Sequence, residues 1–212
     1  MAVVPGCGVG DDVGREAGAF YSRRHLVALA AGAGSGLLLS GVAVERMLGA
    51  TSPVPSAKQD AKILNYALLL EYLQAAFYAE ALTRGKLRGE LREFAEVVGE
   101  HEHAHVAFLK KALGRAARPE PVFHFGHATR DSSAFRTSAR ALEDAGVAAY
   151  NGQAANLTKP ALGSAIKIVS VEARHAAWIR DIVGDEPAPR AADPGWSAAE
   201  VNDELKSLRL LG

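Results

Sequence analysis

The chain has 212 residues, of which 49% are hydrophobic and 23% are charged, and its 24 basic residues balance its 24 acidic residues. This length suits one ordinary domain with additional terminal segments, and the apolar fraction excludes a disordered chain. The zero net charge argues against a nucleic-acid-binding protein, which needs a basic face to meet phosphates. Cys7 is the only cysteine, so the chain alone forms no disulfide and no cysteine-based metal site.

Residues 1–50 resemble an export signal. Arg23 and Arg24 are followed by an uncharged, mildly hydrophobic run at residues 26–44, and the small residues at 41–43 suit cleavage by a signal peptidase. The pattern predicts a twin-arginine-type signal region, with the twin-arginine export machinery as a partner and a periplasmic or extracellular location in the cell envelope. The alternative is an uncleaved N-terminal membrane anchor, since about 19 apolar residues can just span a bilayer.

Four long helices are predicted within residues 57–184. Ser56 and Gln59 form the pattern of an N-terminal capping box, and Pro160 falls in the first turn of the fourth helix. Residues 185–212 are predicted to be a Pro-rich linker and a short C-terminal helix. The predicted long helices span about 58–84, 90–113, 132–156 and 159–184.

The lengths of the connections predict the topology. The first and third connections are a few residues long, so each joins antiparallel neighbours. The middle connection, of about 17 residues, can extend about 56 Å at ~3.3 Å per residue, whereas a helix of about 25 residues is about 37 Å long. The connection can therefore cross the whole bundle. The prediction is an all-α, ferritin-like four-helix bundle of two antiparallel helical hairpins with a long crossover.

Each predicted helix carries one glutamate near the middle of its apolar face. A buried carboxylate is costly unless it is paired or bound to metal. The second and fourth helices also carry a histidine three residues after the glutamate, which puts both side chains on one face. The candidate metal ligands are Glu71, Glu102, His105, Glu143, Glu172 and His175.

These six residues are expected to meet at one level of the bundle. Within each hairpin the two glutamates are equidistant from the turn, and the residues of the second hairpin follow their counterparts in the first by 70 to 72 positions. Four carboxylates and two neutral imidazoles carry a total charge that two divalent ions neutralise. Oxygen and nitrogen donors without sulfur favour two iron ions, with manganese as the alternative.

Three further residues on the inner faces have two interpretations each. Tyr78 and Tyr150 lie seven residues after Glu71 and Glu143, two helical turns along. Each tyrosine either hydrogen-bonds a ligand carboxylate or simply packs with its hydroxyl in water. Gly146, three residues after Glu143, either opens a passage to the metals or allows two helices to pack closely.

The remaining histidines and one tryptophan are not assigned to the site. We expect surface positions for His101 and His103, with metal delivery as the alternative. We expect loop positions for His124 and His127, with shielding of one end of the bundle as the alternative. Trp178 is expected in the core.

Residues 57–184 resemble the ferritin-like superfamily. The stretches at residues 69–73, 102–109 and 171–175 are similar to a subfamily of secreted ferritin-like proteins that includes plant desiccation-related proteins. The resemblance covers the whole predicted bundle. It implies that Glu71 and Glu143 each bind one ion, that Glu102 and Glu172 bridge, and that His105 and His175 cap the two ions.

Three functions compete for such a site. The favoured one is redox chemistry with O₂, peroxide or Fe(II), as in a ferroxidase- or peroxidase-like di-iron oxidoreductase. Oxygenation of an organic substrate needs an apolar cavity and an electron-donating partner. The alternative without turnover is a metal-stabilised, stress- or desiccation-related envelope protein. The lack of a cysteine-ligated iron module argues against a self-contained rubrerythrin-type peroxidase. The sequence does not decide whether the protein forms a homo-oligomer.

The export signal generates a direct prediction. Replacing Arg23 and Arg24 by lysine should trap the precursor in the cytoplasm, because the twin-arginine route depends on that pair. Fractionation and immunoblotting of cells that produce either form measure the effect. Unchanged export of the double variant would refute this route, though not secretion itself.

Overall fold

The structure is a computed structural model, and it describes residues 54–210. The predicted signal region 1–50, with the apolar run that could anchor it, lies outside the described residues. Within residues 54–210 no helix combines the length and the apolar character needed to cross a membrane.

All regular structure in the described part of the chain is helical, which confirms the predicted all-α fold. One boundary differs from the prediction: the third helix ends three residues before Asn156, because residues 154–156 form a tighter 3₁₀ turn. The helices are α1 (Ala57–Arg84), α2 (Glu90–Leu113), α3 (Ser132–Gln153), α4 (Lys159–Val183) and α5 (Ala198–Ser207).

Side chains and glycine fix the helix ends. The Ser56 hydroxyl accepts a hydrogen bond from the Gln59 amide at 3.3 Å, as half of the predicted capping box. The Asp131 carboxylate caps α3 by accepting from two backbone amides in its first turn, at 3.0 and 2.8 Å. Gly184 ends α4 with φ +83°, a left-handed conformation that glycine adopts without strain.

The helices pair as two hairpins. α1 packs along α2 and α3 along α4, while α1 contacts α3 and α2 contacts α4 across the bundle. The crossover from α2 to α3 has no regular structure between residues 117 and 131. Asp60 at the start of α1 ties the hairpins together, because its carboxylate accepts hydrogen bonds from the backbone amide and hydroxyl of Thr158, at 2.9 and 2.6 Å.

The core consists of two apolar clusters with a polar layer between them. One cluster lies around Phe77, Phe94 and Phe135, towards the α1–α2 turn, and α5 packs onto it. The other cluster lies around Leu68 and Ile168, at the opposite end of the bundle. The carboxylates and histidines of the middle layer are buried between the two clusters.

Several apolar side chains pack against the second cluster without being fully buried, among them Phe108, Leu162 and Val169. Trp178, predicted as core, is also only partly buried. Its ring meets Phe94 edge-on, and its Nε1–H donates a hydrogen bond to Glu90 at 3.0 Å.

The segment that leads into α5 runs directly over Gly152 of α3. The Trp196 amide donates a hydrogen bond to the Ala148 carbonyl at 2.9 Å, and a Cβ on Gly152 would collide with the Trp196 carbonyl oxygen. Backbone atoms on both sides leave no flexible side chain that could move aside. Glycine is therefore required where the C-terminal segment docks.

This close approach predicts opposite effects for two glycine substitutions. Gly152→Ala should lower the free energy of unfolding by about 1–3 kcal/mol, because the added methyl forces the backbone apart. Gly163→Ala, at an exposed position of α4 where a Cβ meets open space, is the matched control and should raise it by about 0.5–1 kcal/mol. Denaturant unfolding measures both, and equal stability of the two variants would contradict the docking.

Candidate metal centre

All six residues predicted from the sequence lie in the polar layer, one glutamate from each of the four long helices and one histidine from α2 and α4. Their burial is nearly complete, since their inner-face positions point away from solvent on every helix. The exposed fractions are 1% for Glu71, 0% for Glu102, Glu143 and Glu172, 3% for His175 and 8% for His105.

His105 faces three carboxylates from three helices. Its Nδ1 lies 3.2 Å from Glu71 Oε2, 3.0 Å from Glu102 Oε2 and 3.1 Å from Glu172 Oε1. One atom from each of these four residues lies within 4.8 Å of all the others, which is close enough to surround a single ion. We call this group the Glu71 position.

His175 faces a second set of carboxylates. Its Nδ1 lies 3.1 Å from Glu102 Oε1, 3.2 Å from Glu143 Oε2 and 3.9 Å from Glu172 Oε1. These four residues also offer one atom each within 4.8 Å of the others. We call this group the Glu143 position.

The two positions share Glu102 and Glu172. The two oxygens of Glu102 face different histidines, Oε1 towards His175 and Oε2 towards His105. Glu172 Oε1 lies near both imidazoles. The two groups therefore share two carboxylates, and each group could hold a metal ion.

The donor atoms fit a small divalent ion. Ligands about 2.1 Å from an octahedral ion are about 3.0 Å from their neighbours, close to the separations around both histidines. Glu102 Oε1, Glu143 Oε2, Glu172 Oε1 and His175 Nδ1 are buried and have no hydrogen-bond partner among residues 54–210. The three oxygens instead lie at ion-pair distances of 3.1–3.2 Å from the two imidazoles, and a cation among them would satisfy all four atoms.

Two tyrosines hold the outer glutamates from across the bundle. The Tyr78 hydroxyl of α1 donates to Glu143 Oε1 of α3 at 2.5 Å, and the Tyr150 hydroxyl of α3 donates to Glu71 Oε1 of α1 at 2.6 Å. The hydrogen-bonding alternative is thus confirmed for both residues. Because each tyrosine occupies one carboxylate oxygen, the other oxygen, Oε2, is left to face the histidine.

Gln74 completes one side of the layer, although the sequence analysis missed it. Its side-chain amide donates to Glu143 Oε1 at 3.2 Å and to Glu172 Oε2 at 3.4 Å. The sequence did indicate this residue, because Gln74 lies three residues after Glu71, and on α2 and α4 the residue three after the glutamate is a ligand histidine. Gly146 has the same offset on α3, and a Cβ there would lie 2.8 Å from Glu172 Oε2. The space beside Gly146 is thus occupied by side chains of the site, and neither predicted alternative describes it.

His101 is exposed, as predicted, and it also contacts the site. Its Nδ1 lies 2.9 Å from His175 Nε2, and the planes of the two rings are 15° apart. The available signal was its spacing, four residues before His105 on α2. His103 is exposed, and His124 and His127 are exposed in the irregular crossover, as predicted.

A ferritin-like domain model matches residues 59–185, which is more than half of the chain and includes all four long helices. The chain belongs to the ferritin-like family. A comparison with curated protein sequences finds no significant match. The family assignment supports a helical bundle and agrees with a buried glutamate–histidine cluster that could hold metal.

Burial raises the pKa values of Glu71, Glu102 and Glu172 in this ferritin-like bundle. Desolvation raises the pKa of Glu71 to about 8, and the nearby charge of Glu102 adds to the effect. Desolvation and the charge of Glu71 raise the pKa of Glu172 to about 7. Glu102 shifts in the same direction, with burial as the main cause and the Glu172 charge next.

The pKa values of both histidines also rise, but for a different reason. Burial alone would lower the pKa of His105, but the carboxylates of Glu102, Glu172 and Glu71 outweigh it and raise the value to about 12. The pKa of His175 rises to about 10 for the same reason, with Glu102 and Glu143 as its partners. Without metal, bound protons supply the positive charge that the layer needs.

These shifts predict that the metal-free protein loses stability as the pH rises from about 5 to about 9. Folded Glu71 keeps its proton between the unfolded pKa of 4.5 and about 8. The histidines keep theirs from 6.5 up to folded values of about 12 and 10. For each proton that only the folded state holds, the free energy of unfolding falls by about 1.4 kcal/mol for every unit by which the pH rises. Thermal unfolding across this range measures the slope.

Divalent metal should reverse this trend, because ions bind the deprotonated ligands and displace the protons. The increase in melting temperature on adding Mn(II) should therefore grow between about pH 4 and pH 7. Glu71→Gln should flatten the metal-free slope and weaken the metal effect, whereas Glu120→Gln, in the exposed crossover, should change neither. A pH-independent melting temperature for the metal-free protein would contradict the assignment.

Proposed function

We propose that this ferritin-like protein binds two iron ions, or two manganese ions, and uses them for redox chemistry with O₂, peroxide or Fe(II). The observation that carries the proposal is the set of four buried atoms that make no hydrogen bond among the described residues, within a layer of four carboxylates and two imidazoles. The four negative charges of the carboxylates balance the four positive charges of two divalent ions. A pair of such ions can exchange electrons with a small oxidant.

The residues would divide the work between the two positions. Glu71 with His105, and Glu143 with His175, would hold one ion each, and Glu102 would join the positions through its two oxygens. Tyr78 keeps its proton because burial and the Glu143 carboxylate raise its pKa well above the usual value. It therefore remains a donor that fixes Glu143, and Tyr150 does the same for Glu71.

The burial of the site favours small reactants. Three of the glutamates are fully buried, and side chains fill the space beside Gly146, so an organic substrate would have to displace core residues. O₂, peroxide and single metal ions are small enough to pass between helices during local opening. Oxygenation of an organic substrate therefore has less support than the other two functions.

The same burial also favours a second candidate, a metal-stabilised protein without turnover. Ions held by fully buried ligands would stabilise the folded state by mass action, with or without chemistry. Such a protein would match the stress- or desiccation-related envelope role. The two candidates differ in one measurable property, which is the consumption of oxidant.

We also propose that the protein works in the cell envelope after twin-arginine export. The support comes from the arginine pair and the apolar run of residues 1–50. A route that carries folded proteins is consistent with a metal site whose ligands come from four helices. The lysine variants described above test this part separately from the chemistry.

The chemistry is tested with metal-free protein loaded anaerobically with Fe(II). On admission of O₂, the wild-type protein should consume O₂ faster than a protein-free Fe(II) solution. The double variant Glu71→Gln with Glu143→Gln should be close to the protein-free rate, because each position loses one charged ligand. The matched control, Glu93→Gln with Glu120→Gln, changes two exposed carboxylates and should behave as wild type. An oxygen electrode measures all four rates.

Two outcomes would contradict the proposal in different ways. If Fe(II) and Mn(II) raise the melting temperature but O₂ consumption equals that of free Fe(II), and added peroxide is not consumed either, the protein without turnover replaces the redox one. If neither metal changes the melting temperature at any pH, the chain has no functional di-metal site.

A further inference from the structure

The outer ring nitrogens of the two site histidines have different surroundings. His175 Nε2 lies 2.9 Å from His101 Nδ1, and the two rings meet edge to edge, with centroids 5.1 Å apart and planes 15° apart. Within residues 54–210, no hydrogen bond joins His105 Nε2 to another side chain. Only one of the two imidazoles is thus held on both sides.

The difference follows from the sequence of the two hairpins. His101 precedes His105 by four residues, and the residue four before His175 is Val171. The internal repeat therefore offers an imidazole to His175 from α2, but a valine at the matching place on α4. A valine side chain cannot accept a hydrogen bond, so His105 has no equivalent support.

A histidine that binds a cation through Nδ1 carries its proton on Nε2. An acceptor placed at Nε2 fixes this tautomer, orients the ring and raises the basicity of the ligating nitrogen. His101 Nδ1 lies where such an acceptor is needed by His175. This matters for His175 in particular, since its Nδ1 is buried and lies 3.1 Å from Glu102 Oε1 and 3.2 Å from Glu143 Oε2, the oxygens with which it would share an ion.

Gln74 adds to the same asymmetry. Its amide donates to Glu143 and Glu172, so Glu143 Oε1 accepts from both Tyr78 and Gln74. Among the described side chains, Glu71 Oε1 accepts from Tyr150 alone, because the residue matching Gln74 on α3 is a glycine. The ligands of the Glu143 position are therefore held by more partners than those of the Glu71 position.

We propose that His101 is a positioning residue that holds His175 for metal binding and makes the two metal positions unequal. The Glu143 position binds its ion first and more tightly, and the Glu71 position is the weaker one. This inference rests on the proposed di-metal function and adds the order in which the positions fill.

Titration of metal-free protein with Mn(II), followed by the electron paramagnetic resonance signal of the free ion, tests the inference. The wild-type protein should show two binding steps of different affinity. His101→Ala should weaken the tighter step by about 10- to 100-fold and leave the weaker step unchanged. His101→Gln, which keeps an acceptor, should recover part of the loss. His103→Ala is the matched control, since it removes an exposed histidine of α2 and should change neither step.

Variants that leave one position intact show where His101 acts. In Glu71→Gln, which retains the complete Glu143 position, adding His101→Ala should reduce the remaining affinity. In Glu143→Gln, which retains the complete Glu71 position, the same change should have no effect. An equal effect in both backgrounds, or identical binding by His101→Ala and wild type, would overturn the role of His101 alone. Absence of both Mn(II) and Fe(II) binding by the wild-type protein would overturn the proposed function and this inference together.

Discussion

The burial of four carboxylates at one level of an apolar core is the constraint on which the structure depends. Each buried charge carries a desolvation penalty of several kcal/mol, and four like charges also repel one another. The surrounding residues reduce this penalty in steps. Two imidazoles face the carboxylates, two tyrosines and Gln74 donate hydrogen bonds to them, and four donor atoms remain for cations. Apolar clusters on both sides keep water away from the layer.

The polar layer also determines how the two hairpins meet. Within a hairpin, apolar contacts along the whole length of the helices are sufficient for pairing. Between hairpins, Tyr78 reaches Glu143 and Tyr150 reaches Glu71, so each hairpin orients a ligand of the other. Asp60 and Thr158 add a second polar connection near the end of the bundle. These directional contacts fix the register of the hairpins more strictly than apolar packing does.

Much of the fold and of the site could be predicted from the sequence because both depend on helical periodicity. Buried glutamates at matching distances from two turns are sufficient to bring Glu71, Glu102, Glu143 and Glu172 together. Gln74 could have been predicted by the same argument, since its offset from Glu71 equals that of His105 from Glu102. Because its amide side chain is neutral, its burial does not by itself indicate a metal ligand.

Other features depend on distances between helices, which periodicity does not give. From its position on α2, His101 is predicted only to be exposed. Its contact with His175 arises because α4 approaches α2 at this level. Gly152 is a second example. A side chain is excluded there because a segment more than 40 residues later in the chain passes directly over it. Trp178 has an apolar ring, but its indole N–H is satisfied by Glu90 near the surface, so it is not fully buried.

The sharing of Glu102 and Glu172 has a consequence for the order of assembly. The Glu71 position takes Glu172 from the second hairpin, and the Glu143 position takes Glu102 from the first, so neither hairpin alone has a complete binding site. Nascent hairpins would therefore have little affinity for ions, and loading would follow their docking. Since the glutamates of the docked bundle are fully or almost fully buried, escape of an ion would require the helices to separate. The lifetime of the bound ions would then be set by the opening rate of the bundle, so the rate of metal release would report how often the bundle opens.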